Sequence, residues 1–304
     1  MPAQNTSELN RRKFISIAAV GSTAILSSPF ISSASNFLQP AKPVTVGQIM
    51  DLFISEVPGA PFEGTVDTLK TGSRDTVVTG LVTTMFATID VIRKSIALGA
   101  NFIIAHEPTF YNHRDETKWL ENDDVYHYKA DLLKQHNIAV WRNHDYVHSL
   151  KVDEVRKALA DQLDWQQFGD TAQDVYNLAT PLTLKALIAH VKAKLNTPQV
   201  RYIGNLDQPC KKILLFPGAA GGTNQITAII KNQPDVMMCG EISEWETAEY
   251  VRDARAKGKQ LSLIIMGHIA SEEPGSEFIV KWLKGKFPAV KSTHIPSGNS
   301  LSFL

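Results

Sequence analysis

DTVVTGLVTTMFATIDVIRKSIALGANFIIAHEPTF, residues 75–110, decides the fold class. Its first ten residues are rich in Val and Thr and predict a strand. Residues 88–100, TIDVIRKSIALGA, set Ile89, Ile92 and Ile96 on one helical side, with Gly99 as the stop. NFIIA, residues 101–105, is a second strand. Strand, helix and strand in this space form a βαβ unit, with parallel strands joined by a right-handed crossover.

The same alternation extends outward. Upstream, residues 42–60 read as an amphipathic helix stopped by Pro58-Gly59. Downstream come a helix at 128–137, a strand at 138–143 (IAVWRN) and a helix at 151–163. Periodicity fades through DWQQFGDTAQD, residues 164–174, which marks a lobe boundary. Helices at 182–196, 224–232 and 244–258 then alternate with strands at 211–218, 235–240 and 261–267. Continuously apolar strands such as LSLIIMG are buried on both faces, so the class is α/β with mainly parallel sheets. The expected division is an N-terminal lobe at 43–165 and a C-terminal lobe at 166–304.

The first forty residues stand apart. Arg11, Arg12 and Phe14 precede a run diluted by Ser, Ala and Gly that ends at Ile31. This is the pattern of a twin-arginine export signal. Cleavage is expected near Ala34, giving a signal at 1–34, a linker at 35–42 and a periplasmic mature protein. The run is broken by Gly21, Ser27, Ser28 and Pro29, which argues against a stable membrane anchor. Lys plus Arg and Asp plus Glu number 31 each, so no net field favours nucleic acid. Cys210 and Cys239 are the only cysteines, either paired or buried as free thiols, and too few for a disulfide scaffold.

Chemistry gathers just past the strands. His106 follows NFIIA, His144 follows IAVWRN, His268 follows LSLIIMG, and Glu241 follows DVMMCG. Carboxyl ends of parallel strands line the ligand crevice of such folds. Each histidine has a companion: Glu107 beside His106, Asp145 and His148 after His144, and Glu272 four residues after His268. Imidazole mixed with carboxylate suits zinc, manganese, iron or cobalt, and no thiolate cluster accompanies it. His127, His136 and His190 lie in helical segments and His294 near the C-terminus, so none is assigned a role, while His113 could face a substrate. FPGAAGG, residues 216–222, reads as a tight turn in preference to a phosphate cradle.

These motifs resemble the NIF-three-like dinuclear metal-centre proteins, some of which are called GTP cyclohydrolase I type two. IIAHEPTF stands where the family has a strand and His-His-Pro, HDYVH where it has His-Thr-Asn-Leu-Asp, and GHIASE closely matches its last motif. The resemblance implies two interlocked α/β lobes with the metal site between them, and a homohexameric ring. It also implies one or two divalent ions held by His106, Glu107, His148, His268 and Glu272, with Asp145 in reserve. The second histidine of the first motif is Glu107 here, and the aspartate of the second is His148. Three imidazoles and two carboxylates are thus kept, as in a compensating exchange across the site, with a bridging carboxylate at Glu107 or Glu272. The alternative is loss of one metal position. The activity implied is metal-dependent hydrolysis of a small polar substrate, with His144 and Glu241 as acid–base groups outside the ligand set. The alternative function is a non-catalytic ring that binds metal or ligand.

Overall fold

The computed structural model describes residues 43–169 and 174–302. The expected signal, its cleavage point and the linker lie outside the described residues. Among those described, no helix is long and apolar enough to cross a membrane.

The first sheet contains β1 (Leu69–Thr71), β2 (Leu81–Thr84), β3 (Phe102–Ala105), β4 (Ala139–Arg142) and β10 (Ser292–His294). Their order is β1-β4-β3-β2-β10, all parallel except β1 at one edge. Alternate side chains feed two cores, as the pleat requires. Leu81, Phe102, Ile104 and Trp141 pack against α1 (Val46–Ser55) and α9 (His268–Lys286). Val82, Ile103 and Val140 pack against α2 (Ile89–Ala97) and α3 (Asp124–Gln135). Each aliphatic side chain fully buried this way contributes about 1.5–3 kcal/mol. That gain holds four-residue strands with no exposed face.

The second sheet is ordered β5-β7-β8-β9-β6: Val175–Thr183, Pro209–Phe216, Val236–Cys239, Ser262–Ile265 and Arg201–Ile203. Its centre is parallel and both edges are antiparallel, so both sheets are mixed. Ile213, Leu215 and Met238 share a core with α6 (Leu184–Lys194), while Leu214, Met237 and Leu263 pack with α7 (Gly222–Asn232) and α8 (Glu249–Ala256). Cys210 and Cys239 are free and buried, one in each of these cores, and burial raises both thiol pKa values.

Two helices join the halves. α5 (Glu154–Gln162) gives Val155 to one core and Leu159 to the other. It lies so close to α9 that a Cβ on Gly275 would come within 2.8 Å of Val155 Cγ2. α9 then carries the chain from β9 in the second sheet back to the first. β10, placed by the sequence reading in the C-terminal lobe, therefore pairs with β2.

Other differences have local causes. The strand expected over 75–84 begins only at Leu81, because Val78 N donates to Val44 O and Val46 N to Thr76 O. That half pairs with the entry to α1 instead of the sheet. β1, β6 and β10 have three residues each, too few to display a period. β5 is an edge strand whose buried side chains are Tyr176 and Leu178, and Pro181 lies within it.

Candidate metal centre

The parallel strands of both sheets point their carboxyl ends at one cavity of about 1280 Å³. β3 delivers His106 and Glu107, and β4 delivers His144 ahead of the short helix α4 (Asp145–His148). β9 delivers His268 as the first residue of α9, which places Glu272 one turn along the same face.

Four imidazoles and two carboxylates meet there. His106, Glu107 and Glu272 are buried, and His144, His148 and His268 are half-buried. His268 Nε2 lies 2.9 Å from Glu272 Oε2 and 3.2 Å from Glu107 Oε1. His106 Nε2 is 3.4 Å from Glu272 Oε2, and His148 Nε2 is 3.9 Å from Glu272 Oε1. His144 Nε2 is 3.8 Å from Glu107 Oε1. Two sets of donor atoms each fall within 4.8 Å of one another: His106 with His144 and His148, and His106 with Glu107 and Glu272.

What fixes each ring is its other nitrogen. His106 Nδ1 donates to the Asn143 carbonyl at 3.2 Å, and a carbonyl can only accept. His144 Nδ1 meets Asp145 Oδ1 at 3.0 Å, and His148 Nδ1 meets Asp153 Oδ2 at 3.0 Å. His268 Nδ1 faces Glu241 Oε2 at 3.4 Å. An oxygen on one imidazole nitrogen leaves the other as a lone pair aimed at the centre, the usual support of a metal-binding histidine. His106 Nε2 is buried without a hydrogen-bond partner. The donor set and this orphaned nitrogen fit a borderline divalent ion.

Arg142 completes the frame. It is fully buried and donates from Nε to His106 O and from one terminal nitrogen to His113 O. Its other terminal nitrogen donates to Glu107 Oε2 at 3.0 Å. Glu107 therefore turns only Oε1 to the centre. Asp145, the reserve ligand, faces away: Oδ2 accepts from Thr65 Oγ1 and Val66 N while Oδ1 orients His144. Glu241 is about half exposed and contacts the cluster through His268 alone. Asp67, buried below, accepts from the backbone of His144 and Tyr146 and fixes the entry to α4.

Charges follow this geometry. Burial disfavours charge on His106 and His268, yet the adjacent carboxylates outweigh it and raise both pKa values, His268 to about 12. Burial would raise Glu272 and Glu107, but the imidazoles hold both below the ordinary carboxylate range. His144 goes the other way, to about 4, through burial and its proximity to His106 and His148.

The glycine-rich turn after β7 has a steric reason. Gly218 has φ +65°, and a Cβ there would run into the Glu272 carboxylate. Its amide donates to Ser271 Oγ at 3.0 Å, so it binds α9 and not an anion. Of the remaining histidines, His113 lines the cavity. His190 stacks on Trp165, His127 bonds to Glu121 O, and His294 pairs with Glu273. His136 is the C-cap of α3. Sequence reasoning missed Arg142, Asn143 and Asp153. Only Asp153 had a signal, as a capping residue five positions beyond His148.

Two mixed sheets that bring buried imidazoles and carboxylates to one cavity define an α/β protein with a metal-type centre. The chain belongs to the Duf34/NIF3 (NGG1p interacting factor 3) family, whose model matches residues 65–299. This is the family its three motifs resemble. A GTP cyclohydrolase 1 type 2 homolog of Clostridium perfringens is 23% identical over 216 residues, covering 68% of this chain and 78% of that protein. The Bacillus cereus protein related to NIF3 superposes with a TM-score of 0.70 at 17% identity, covering 87% of this chain and 99% of that one. Staphylococcus aureus protein SA1388 gives 0.68 at 20% identity, covering 86% and 99%. At these identities the solved structures establish the fold.

Proposed function

We propose that the cluster holds one or two divalent transition-metal ions (zinc, manganese, iron or cobalt) and that the protein is a metal-dependent hydrolase of a small polar substrate. The observation carrying this reading is the convergence of four Nε2 atoms on Glu107 and Glu272 while an oxygen occupies each Nδ1. An ion bound there would polarise an electrophile and make hydroxide available near neutral pH. The chain's own residues divide the work. His106 has one free nitrogen and serves one donor set at a time. Glu272 faces both sets, with Oε1 toward His148 and Oε2 toward His106 and His268, and is the carboxylate placed to serve both if two ions are held. Glu107 has one oxygen engaged by Arg142, so it would offer Oε1 to an ion. His144, expected as an acid–base group, stands among the donors and is read here as a fourth imidazole ligand. Glu241 orients His268.

Metal analysis after mild purification, with a hydrolase panel on wild type, His106→Ala and Glu272→Ala, tests this. Bound metal and an activity lost in both variants are expected. Metal with no activity on any ester, amide or phosphoester leaves the non-catalytic binding protein, and no metal above background ends both readings. Homohexameric assembly and action in the periplasm belong to the same proposal. Light scattering of the mature chain and fractionation of cells expressing the full chain check them.

A further inference from the structure

The cavity wall carries a cation that the metal centre does not use. Lys129, on the inner face of α3, is 5% exposed and lines the cavity with Glu107, Thr109 and His113. Arg142 and Arg156 line it too, but each has a carboxylate within 4.0 Å: Glu107 for the first, Asp153 and Asp174 for the second. Lys129 has none among the described residues. Asp115, the carboxylate whose charge reaches it, is engaged by Lys70 at 3.1 Å. The single hydrogen-bond acceptor of the Lys129 ammonium among the described residues is the Thr109 carbonyl at 2.5 Å, so two of its three protons meet no oxygen and only the rings of Phe110 and Tyr111 lie near, with centroids at 5.8 and 5.2 Å. The Thr109 hydroxyl, also fully buried, has no partner either. A structural lysine would be expected to satisfy its donors, because leaving them unpaired is costly. Burial pushes this amine down to about 8, against the pull of Asp115.

We propose that Lys129 and the Thr109 hydroxyl form an anion subsite, which receives a carboxylate or phosphate group of the molecule bound in this cavity. It rests on the metal reading only for what happens at the molecule's other end. Thr109 is two residues past Glu107, so their Cα atoms are at most about 7 Å apart. One small molecule can span both. The ring of Tyr111, with Lys129 Nζ 5.2 Å from its centroid, forms the outer rim. The substrate class that follows is a small organic anion, whose reactive group lies at the His/Glu cluster and whose charged end lies at Lys129.

Two measurements on the metal-loaded mature protein test the subsite. Calorimetric titration with inorganic phosphate and with acetate is compared between wild type and Lys129→Met. Binding of one anion, weakened about 10- to 100-fold in the variant at unchanged metal content, is expected for a lost charge-assisted hydrogen bond. Equal affinity in the two proteins overturns the proposal. Should the variant fail to fold, acylation of wild-type lysines by an N-hydroxysuccinimide ester, read by mass spectrometry, decides the matter. Phosphate or acetate should slow modification at Lys129 and leave the exposed Lys118 and Lys185 unaffected. Protection by neither anion refutes the subsite, and the better protector identifies the anion. A wild type that takes up no metal would defeat the metal reading separately, since protection at Lys129 is also read in metal-free protein.

Discussion

Replacing Arg142 by Met removes a fully buried guanidinium with three acceptors: the carbonyls of His106 and His113 and the carboxylate of Glu107. Breaking a buried pair from one side costs about 3–5 kcal/mol, and the lower end applies here because His268 Nε2 remains 3.2 Å from Glu107 Oε1. Glu107→Gln keeps the shape and a carbonyl oxygen for Arg142, but turns a charge-assisted bond into an ordinary one. That costs about 2 kcal/mol. With both changed, no buried carboxylate is stranded, so the double variant should lose about 3 kcal/mol and not the sum of the two. A coupling of about 2 kcal/mol is therefore expected from a double-mutant cycle. The assay is equilibrium unfolding in urea on metal-free protein, where no ion can substitute for the guanidinium. Losses that add within about 0.5 kcal/mol would show that Arg142 does not act through Glu107. The claim that Glu107 has one oxygen free would then fall with it.

Three further outcomes test other parts of the site. Asp153→Asn should cost only about 1–2 kcal/mol of stability, because asparagine still caps α5 at Val155 and Arg156 while the charge beside His148 and Arg156 is lost. It sets an amide donor against His148 Nδ1, so a competition titration should show metal affinity down about 10- to 100-fold. Gly218→Ala meets both positive φ and the Glu272 carboxylate. A melting curve should record a loss of about 1–3 kcal/mol, with metal uptake reduced at least about tenfold. Lys129→Met should stabilise the protein at neutral pH. A fall from 10.5 to about 8 corresponds to about 3 kcal/mol of burial cost, and losing the bond to Thr109 returns about 1 kcal/mol of it. Between pH 8 and 10.5 the unfolded chain binds more protons than the folded one, so stability rises with pH across that window. In the variant that contribution is absent, and unfolding at several pH values reads the difference.

How much of this was legible follows from the range of each signal. NFIIA, IAVWRN, DVMMCG and LSLIIMG are continuous apolar runs between amphipathic helices, and each became a central strand of a parallel core. Their carboxyl ends were placed by class alone, so His106, His144, His268 and Glu241 were found without knowing which sheet each strand joins. His268 and Glu272 were paired by their spacing alone, and α9 supplies the helical face although Pro274 and Gly275 lie within it. The helix runs through both, and Gly275 is there to let α5 approach. The edges were not legible. β1 and β10 are three residues each, and β10 joins its sheet through a crossover from the other one.

Glu107 and His148 show why the site itself was only half readable. The resemblance to the family's motifs suggested two residues that trade a carboxylate for an imidazole across the centre and preserve its charge. In the fold, each traded residue has its own support: Arg142 holds Glu107 Oε2, and Asp153 holds His148 Nδ1. A glutamate without that guanidinium would leave a second buried carboxylate beside Glu272. A histidine without Asp153 would lose the acceptor that orients its free nitrogen. Each of the two donors therefore depends on a second residue, and Glu107→His alone would leave a buried guanidinium without its carboxylate. Donor type is written at the position itself. What makes the donor usable lies 35 residues away for Glu107 and five for His148, and only packing brings each pair together.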